Sequence, residues 1–173
     1  QYSGYVTMRQ AVARSLNVPA VRLLSNIGVY SGKSFASRLG IVFDEKDTSL
    51  SLALGGFTYG VSPKMLCGAY AAFAAGGVYK TPACVRKITD SEGTVLYERV
   101  GASERVMSED TAFIMTSMLT SCITTGTGRR LNTGIPLAGK TGTTGLAETN
   151  GNKDAWMVAY NSALVATVWM GFD

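Results

Sequence analysis

Two short stretches carry the side-chain types that acyl transfer needs around a nucleophile. Ser15-Leu16-Asn17 offers a hydroxyl and a carboxamide, and Lys140-Thr141-Gly142-Thr143-Thr144 offers an ammonium group among hydroxyls. Each also has a plain structural reading. Ser15 and Asn17 sit where a helix would be capped, and Lys140 could be a solvated lysine at the end of a strand. Neither pattern is specific alone, since an S-x-N triplet arises by chance roughly once per few hundred residues. The 173 residues contain no histidine. A Ser-His-Asp triad, a Cys-His dyad and HExxH zinc chemistry are therefore excluded within this chain.

A rival pattern overlaps the second stretch. Gly134-Ile-Pro-Leu-Ala-Gly139-Lys140-Thr141 fits the phosphate-binding G-x-x-x-x-G-K-[ST] loop. That loop requires a buried strand before its first glycine and a helix after its Lys-Thr. Here the polar, glycine-rich Thr125–Thr133 precedes it, and Gly142-Thr-Thr-Gly145, poor helix material, follows. The apolar residues inside the supposed loop are what a strand would have there.

The elements that must position these residues follow from pattern and capping. Thr7-Met-Arg-Gln10 is a capping box opening a helix from Met8 to about Ser15. Asn17-Val18-Pro19 breaks it, and Pro19 suits the first turn of a second helix ending near Gly28. A third is expected from about Gly32 to Leu39, capped by Ser31 and stopped by Gly40. Asp44–Gly60 reads as irregular, with a turn at Gly55-Gly56. Ser62-Pro63 opens a helix whose Ala- and Gly-rich body, Met65–Ala75, allows close packing on several sides. Val85–Thr89 and Val95–Arg99 read as a hairpin about Asp90–Gly93. Ser108 caps a helix reaching about Ile123, with acids in its first turn. Leu137–Thr144, Ala155–Tyr160 and Leu164–Phe172 read as strands, the last two joined at Asn161-Ser162. The last strand is apolar on both faces, so helices are expected on both sides of its sheet.

Composition bounds the class. The chain is 46% hydrophobic and 16% charged, values of a globular chain with no internal repeat or linker. Its longest apolar runs, Leu164–Met170 and Ala69–Ala75, are far short of the ~20 residues that span a bilayer. The net charge of +4 is scattered, with no basic stripe interleaved with aromatics, so no nucleic-acid partner is expected. Cys67, Cys84 and Cys122 match neither zinc spacing nor a disulfide framework. Cys67 and Cys122 are expected to be buried small hydrophobes.

Taken together and in this order, the motifs resemble the penicillin-binding protein and class A β-lactamase superfamily, whose set is S-x-x-K, S-D-N and K-T-G. The likeness extends through Ser15-Leu-Asn-Val-Pro-Ala-Val-Arg22, Leu54-Gly-Gly56, Val61-Ser-Pro63, Ala69–Gly76, Gly126-Thr-Gly128 and Gly139–Thr144. It continues in Asp154-Ala-Trp-Met-Val-Ala-Tyr160 and Val168-Trp-Met-Gly-Phe-Asp173. The Thr143-Thr144 pair and the closing Trp-Met-Gly-Phe-Asp are most similar to the class A bifunctional penicillin-binding proteins.

The resemblance implies an α/β (α+β) fold: an antiparallel sheet with helices on both faces, a mainly helical lobe, and a cleft between them. It implies peptidoglycan D,D-transpeptidation on stem peptides ending in D-Ala-D-Ala, with β-lactam antibiotics as inhibitors. Alternatives on the same scaffold are a β-lactamase or D,D-carboxypeptidase, or a non-catalytic domain sensing peptides or β-lactams. It implies Ser15 as proton relay, Asn17 as the amide that orients the substrate, and Lys140 as the positive group beside Ser15. Thr141 and Thr143 would hold the substrate carboxylate, Gly142 would allow close approach, and the Thr143 N–H would be half of an oxyanion hole. Thr125–Gly128 either lines the cleft or is a plain connecting loop. No metal or organic cofactor is implied.

The family's nucleophile is the serine of S-x-x-K, which this sequence does not contain. Residues 1–173 are therefore expected to be the C-terminal part of one transpeptidase domain, inactive alone, from a parent held at the outer face of the cell membrane. Two N-terminal strands of the family would be missing beside the last strand. The rest of the protein, or a symmetry copy, should complete that sheet.

Overall fold

The computed structural model describes residues 4–145 and 151–172. Helix α1, Met8–Ala13, opens with the expected capping box: Thr7 Oγ1 accepts from the Gln10 N–H, and the Gln10 side chain accepts from the Thr7 N–H. Helix α2, Asn17–Ile27, begins two residues before Pro19. Helix α3, Val29–Arg38, starts earlier than expected because Gly28, at φ 87°, turns the chain at once between α2 and α3. Ser31 therefore lies inside α3 and caps nothing. The irregular stretch after it holds a 3-10 turn, Leu50–Leu54, ending at Gly55.

Helix α4, Pro63–Ala74, has Ser62 Oγ accepting from the Met65 N–H and proline in its first turn. Its small residues serve close packing: Ala72 is fully buried, and a Cβ on Gly68 would meet the Pro82 ring at 2.4 Å. Strands β1 (Val78–Lys80) and β4 (Ser103–Arg105) pair antiparallel, and between them β2 (Lys87–Thr89) pairs with β3 (Val95–Glu98) as the expected hairpin. The β1–β4 ribbon was not legible in sequence because three-residue strands show no period. Helix α5, Glu109–Thr124, is capped by Ser108 Oγ, which accepts from the Thr111 N–H.

The sheet that carries the second motif has the order β5-β6-β7, all antiparallel: Ala138–Gly145, Asn152–Tyr160 and Val165–Gly171. Helices α4 and α5 meet it at Ala138, Tyr160 and Val165, which lie side by side in the register. The Tyr160 hydroxyl bonds that of Thr116 at 2.9 Å. Leu119, Cys122 and Val158 are almost fully buried there. A second core joins Leu39, Ala69, Ala72, Val106, Met107 and Ala112. Cys122 is buried as expected, Cys67 is only half-buried and Cys84 is exposed.

The mixed helix-and-sheet class is as expected. The two-sided helical cover is incomplete within the described residues. Along β7, Val165, Thr167 and Trp169 are half-buried, whereas Val168 and Met170 on the opposite face are 58% and 71% exposed.

Candidate active site

Ser15 is the residue immediately beyond the turn that closes α1. Its backbone φ is 54°, the only positive value on a non-glycine among the described residues. L side chains adopt that conformation at a cost, and it is kept where the surroundings over-determine it. Helix α1 is held against α5: the Arg9 guanidinium donates to Ser117 O at 2.6 Å, to Ser117 Oγ and to Ser121 Oγ. Leu16 N–H closes the turn on Ala11 O at 2.9 Å. Ser15 is thus fixed by its own turn and by the anchoring of its helix.

Lys140 comes from the other end of the chain. It lies in β5 opposite Val158, whose neighbour in β7 is Thr167. Lys140 Nζ donates to Ser15 Oγ at 2.7 Å and to Thr141 O at 2.9 Å, joining residues 125 apart in sequence. Burial pushes the Lys140 ammonium below the ordinary lysine value, and the neighbouring Cys122 only partly opposes that. An ammonium that gives up its proton more readily, bonded to a hydroxyl, is the arrangement a proton relay needs.

Thr141 and Thr143 alternate with Lys140 and Gly142 along β5, so the two hydroxyls share one side of the strand. Thr141 Oγ1 lies 2.7 Å from Thr127 Oγ1, a residue of the α5-to-β5 connection. That places Thr127 of the Thr125–Gly128 segment against the motif, more than a plain connecting loop requires. Thr143 is exposed on β5, the outer strand of its sheet among the described residues. Gly142 faces Trp156, where an added Cβ would stand 3.2 Å from the Trp156 Cβ.

Lys140–Thr144 line one wall of a cavity of about 900 Å³, with Trp156 and Trp169 beside them. Leu24, Ile41, Phe43, Leu66 and the Gly55–Gly60 segment line the rest. Trp169 Nε1 donates to Asp154 Oδ1 at 2.9 Å, which ties the far ends of β6 and β7 together. Behind Thr58, which lines the cavity, Asp47 accepts from Thr58 N–H, Thr58 Oγ1 and Asp44 N–H. Burial works against its charge, but these hydrogen bonds outweigh it and hold the carboxyl below the usual aspartate value.

The structure therefore brings Ser15, Lys140 and Thr141 together, with Gly142 and Thr143 continuing along the same strand. Neither Ser15 nor Asn17 is among the residues lining that cavity. Asn17 lines a second groove of about 400 Å³ with Val18, Val21, Arg22, Ser25 and Leu50. The phosphate-loop alternative is excluded: Thr141 lies inside β5 and pairs with Met157 of β6, and the strand, not a helix, continues from it to Gly145.

The family model described as the penicillin-binding protein transpeptidase domain matches residues 1–172. The chain is 41% identical over 174 residues to penicillin-binding protein 1F of Bacillus subtilis, covering 100% of this chain and 24% of that protein. It is 37% identical over 180 residues to penicillin-binding protein 1A of Neisseria lactamica, covering 100% of this chain and 22% of that protein. It thus spans about a quarter of the length of these relatives. Among solved structures, penicillin-binding protein 1A of Haemophilus influenzae superimposes with a TM-score of 0.85 at 27% identity, over 100% of this chain and 31% of that one. PonA1 of Mycobacterium tuberculosis in complex with penicillin V superimposes with a TM-score of 0.86 at 27% identity, over 100% of this chain and 49% of that one.

Proposed function

The chain belongs to the penicillin-binding protein transpeptidase domain family and is most like its class A bifunctional members; from that premise we propose that it supplies the proton-relay and carboxylate-binding half of a serine D,D-transpeptidase site. The observation that carries this reading is the 2.7 Å bond from Lys140 Nζ to Ser15 Oγ. In this reading the nucleophile is the serine of an S-x-x-K segment elsewhere in the full-length protein. That segment occupies the cavity of about 900 Å³ against which Lys140 faces.

The chemistry then proceeds as follows. The lysine of S-x-x-K takes the proton of the serine hydroxyl as its oxygen attacks the carbonyl of the penultimate D-Ala, and the C–N bond to the terminal D-Ala breaks. Ser15 gives its proton to the departing nitrogen and takes one from Lys140. The Thr143 N–H, with the nucleophile's own N–H, stabilises the oxyanion. Thr141 and Thr143 hold the terminal carboxylate, and the free edge of β5 receives the extended peptide by strand addition. Asn17 orients the substrate amide once the missing segment narrows the cleft. An acceptor amine on a second stem peptide completes the cross-link. β-Lactams enter the same steps and stop at the acyl-enzyme.

The parent is placed at the outer face of the cell membrane, with a glycosyltransferase domain and an anchor outside this chain. Among the described residues no helix is long and apolar enough to cross a membrane.

The test uses the full-length protein and a fluorescent penicillin. Covalent labelling is expected at the S-x-x-K serine, with Ser15→Ala slowing it at least about hundredfold, the scale of general acid–base assistance. Cross-linking of stem peptides supports transpeptidation. Hydrolysis alone transfers the assignment to a β-lactamase or carboxypeptidase. Absence of any label, or of S-x-x-K in the parent, leaves only a sensor.

A further inference from the structure

We propose that Thr127 is a positioning residue of the carboxylate site, orienting the Thr141 hydroxyl toward the free C-terminal carboxylate of the acyl donor. The proposal rests on the transpeptidase reading and adds a determinant that lies outside both sequence motifs.

Thr127 Oγ1 and Thr141 Oγ1 are 2.7 Å apart, and Thr127 is exposed, so its hydroxyl is not there to satisfy a buried partner. The backbone on either side is held firmly. Thr127 N–H donates to Ala13 O at 3.1 Å, and Gly128 N–H donates to Cys122 O at 2.9 Å. Ala13 ends the helix that delivers Ser15, and Cys122 belongs to α5. The loop is therefore wedged between the Ser15 turn and the Lys140 strand, and it presents one hydroxyl to the motif.

Two hydroxyls at this distance share one proton between their oxygens and leave the other proton free to donate. An anion reaching Thr141 selects the arrangement in which Thr127 donates to Thr141 and Thr141 donates to the carboxylate. Each bond in such a chain polarises the next, and the last is charge-assisted. A neutral terminus gains little from that ordering. Thr127 thus contributes to the preference for substrates with a free carboxylate, by acting through Thr141.

The experiment compares wild type, Thr127→Val and Thr127→Ser in the full-length protein. It measures the second-order acylation rate with a penicillin bearing its free carboxylate and with the methyl ester of the same penicillin. Thr127→Val is expected to slow the free acid about three- to tenfold and the ester less than twofold, with the loss in apparent affinity rather than in the limiting rate. Thr127→Ser should restore the acid-to-ester ratio. The ratio is internal to each protein, so a reduced folded fraction cancels. An unchanged ratio in Thr127→Val, whether both rates fall together or neither falls, overturns the proposal. A wild type that acylates with neither compound overturns the transpeptidase reading and this inference with it.

Discussion

Placing an alanine at Gly126 should separate the two halves of the candidate site without touching either motif. A Cβ there would lie 2.1 Å from Ala13 O, 2.8 Å from the Cys122 Cα and 2.9 Å from the Ala13 carbonyl carbon, all backbone atoms that cannot swing away. Ordinary contact begins at 3.4 Å, so the loop and the end of α1 must part by 3.4 − 2.1 = 1.3 Å. If α1 takes the whole shift and Ser15 moves directly away from Lys140, the 2.7 Å bond between them opens to a limit of about 2.7 + 1.3 = 4.0 Å, beyond hydrogen-bonding distance. The 3.1 Å bond from Thr127 N–H to Ala13 O is lost on the same movement. Overpacking of this kind costs about 1–3 kcal/mol and lowers Tm, by less per kcal/mol than the ~2–4 °C of a protein of ~150–250 residues, because the full-length protein is larger. Loss of a charge-assisted bond of about 1.5–3 kcal/mol corresponds to roughly a ten- to hundredfold slower acylation. The assay is fluorescent-penicillin acylation and thermal melting of the full-length protein. Gly101→Ala serves as control, since nothing lies within 4 Å of a Cβ there and its φ is not positive. Acylation by Gly126→Ala at the Gly101→Ala rate, with an unchanged Tm, would refute the argument that this contact sets the Ser15–Lys140 distance.

Ser15→Gly and Ser15→Ala both lose the bond from Lys140, but Ser15→Gly should be the more stable of the two by about 1 kcal/mol, because the φ of 54° strains alanine and not glycine. It should also cut acylation about hundredfold or more; equal falls in stability for Ser15→Gly and Ser15→Ala would contradict the strain argument. The ammonium form of Lys140 is the one that donates to Ser15, and burial lowers its pKa. The basic limb of acylation should therefore fall at a pH below the ordinary lysine value of 10.5. A pH–rate profile flat to that value would refute it. The chain expressed alone leaves β7 as an outer strand with Val168 and Met170 exposed, so it should self-associate in size-exclusion chromatography with light scattering. A monodisperse monomer that melts cooperatively would argue against an incomplete sheet.

Local chemistry made much of the fold legible. The Thr7 capping box, the Ser62-Pro63 and Ser108 caps and the β5–β7 alternation act over a few residues, so their signals survive without tertiary context. The start of α3 was misread because a glycine at positive φ breaks a helix pair without the loop a reader expects. The β1–β4 ribbon escaped because its partners lie 23 or more residues apart and each strand is three residues long. Within the site, the types of Ser15, Asn17, Lys140, Thr141, Gly142 and Thr143 were readable. The Thr125–Gly128 segment reads either as a cleft wall or as a plain loop, and a threonine in a Gly-Thr-Gly run carries no local mark that it touches Thr141.

The sequence alone determined which side chains were on offer, and through the absent histidine it determined which acyl-transfer chemistries were closed. Only the tertiary structure decided that Lys140 reaches Ser15 across 125 residues, that Thr127 reaches Thr141, and that Asn17 stands in a separate groove. Caps and periodicity are fixed by neighbours along the chain, whereas these meetings depend on how α1, α5 and β5 pack. That packing is a property of distant surfaces fitting one another, which no local run of residues records.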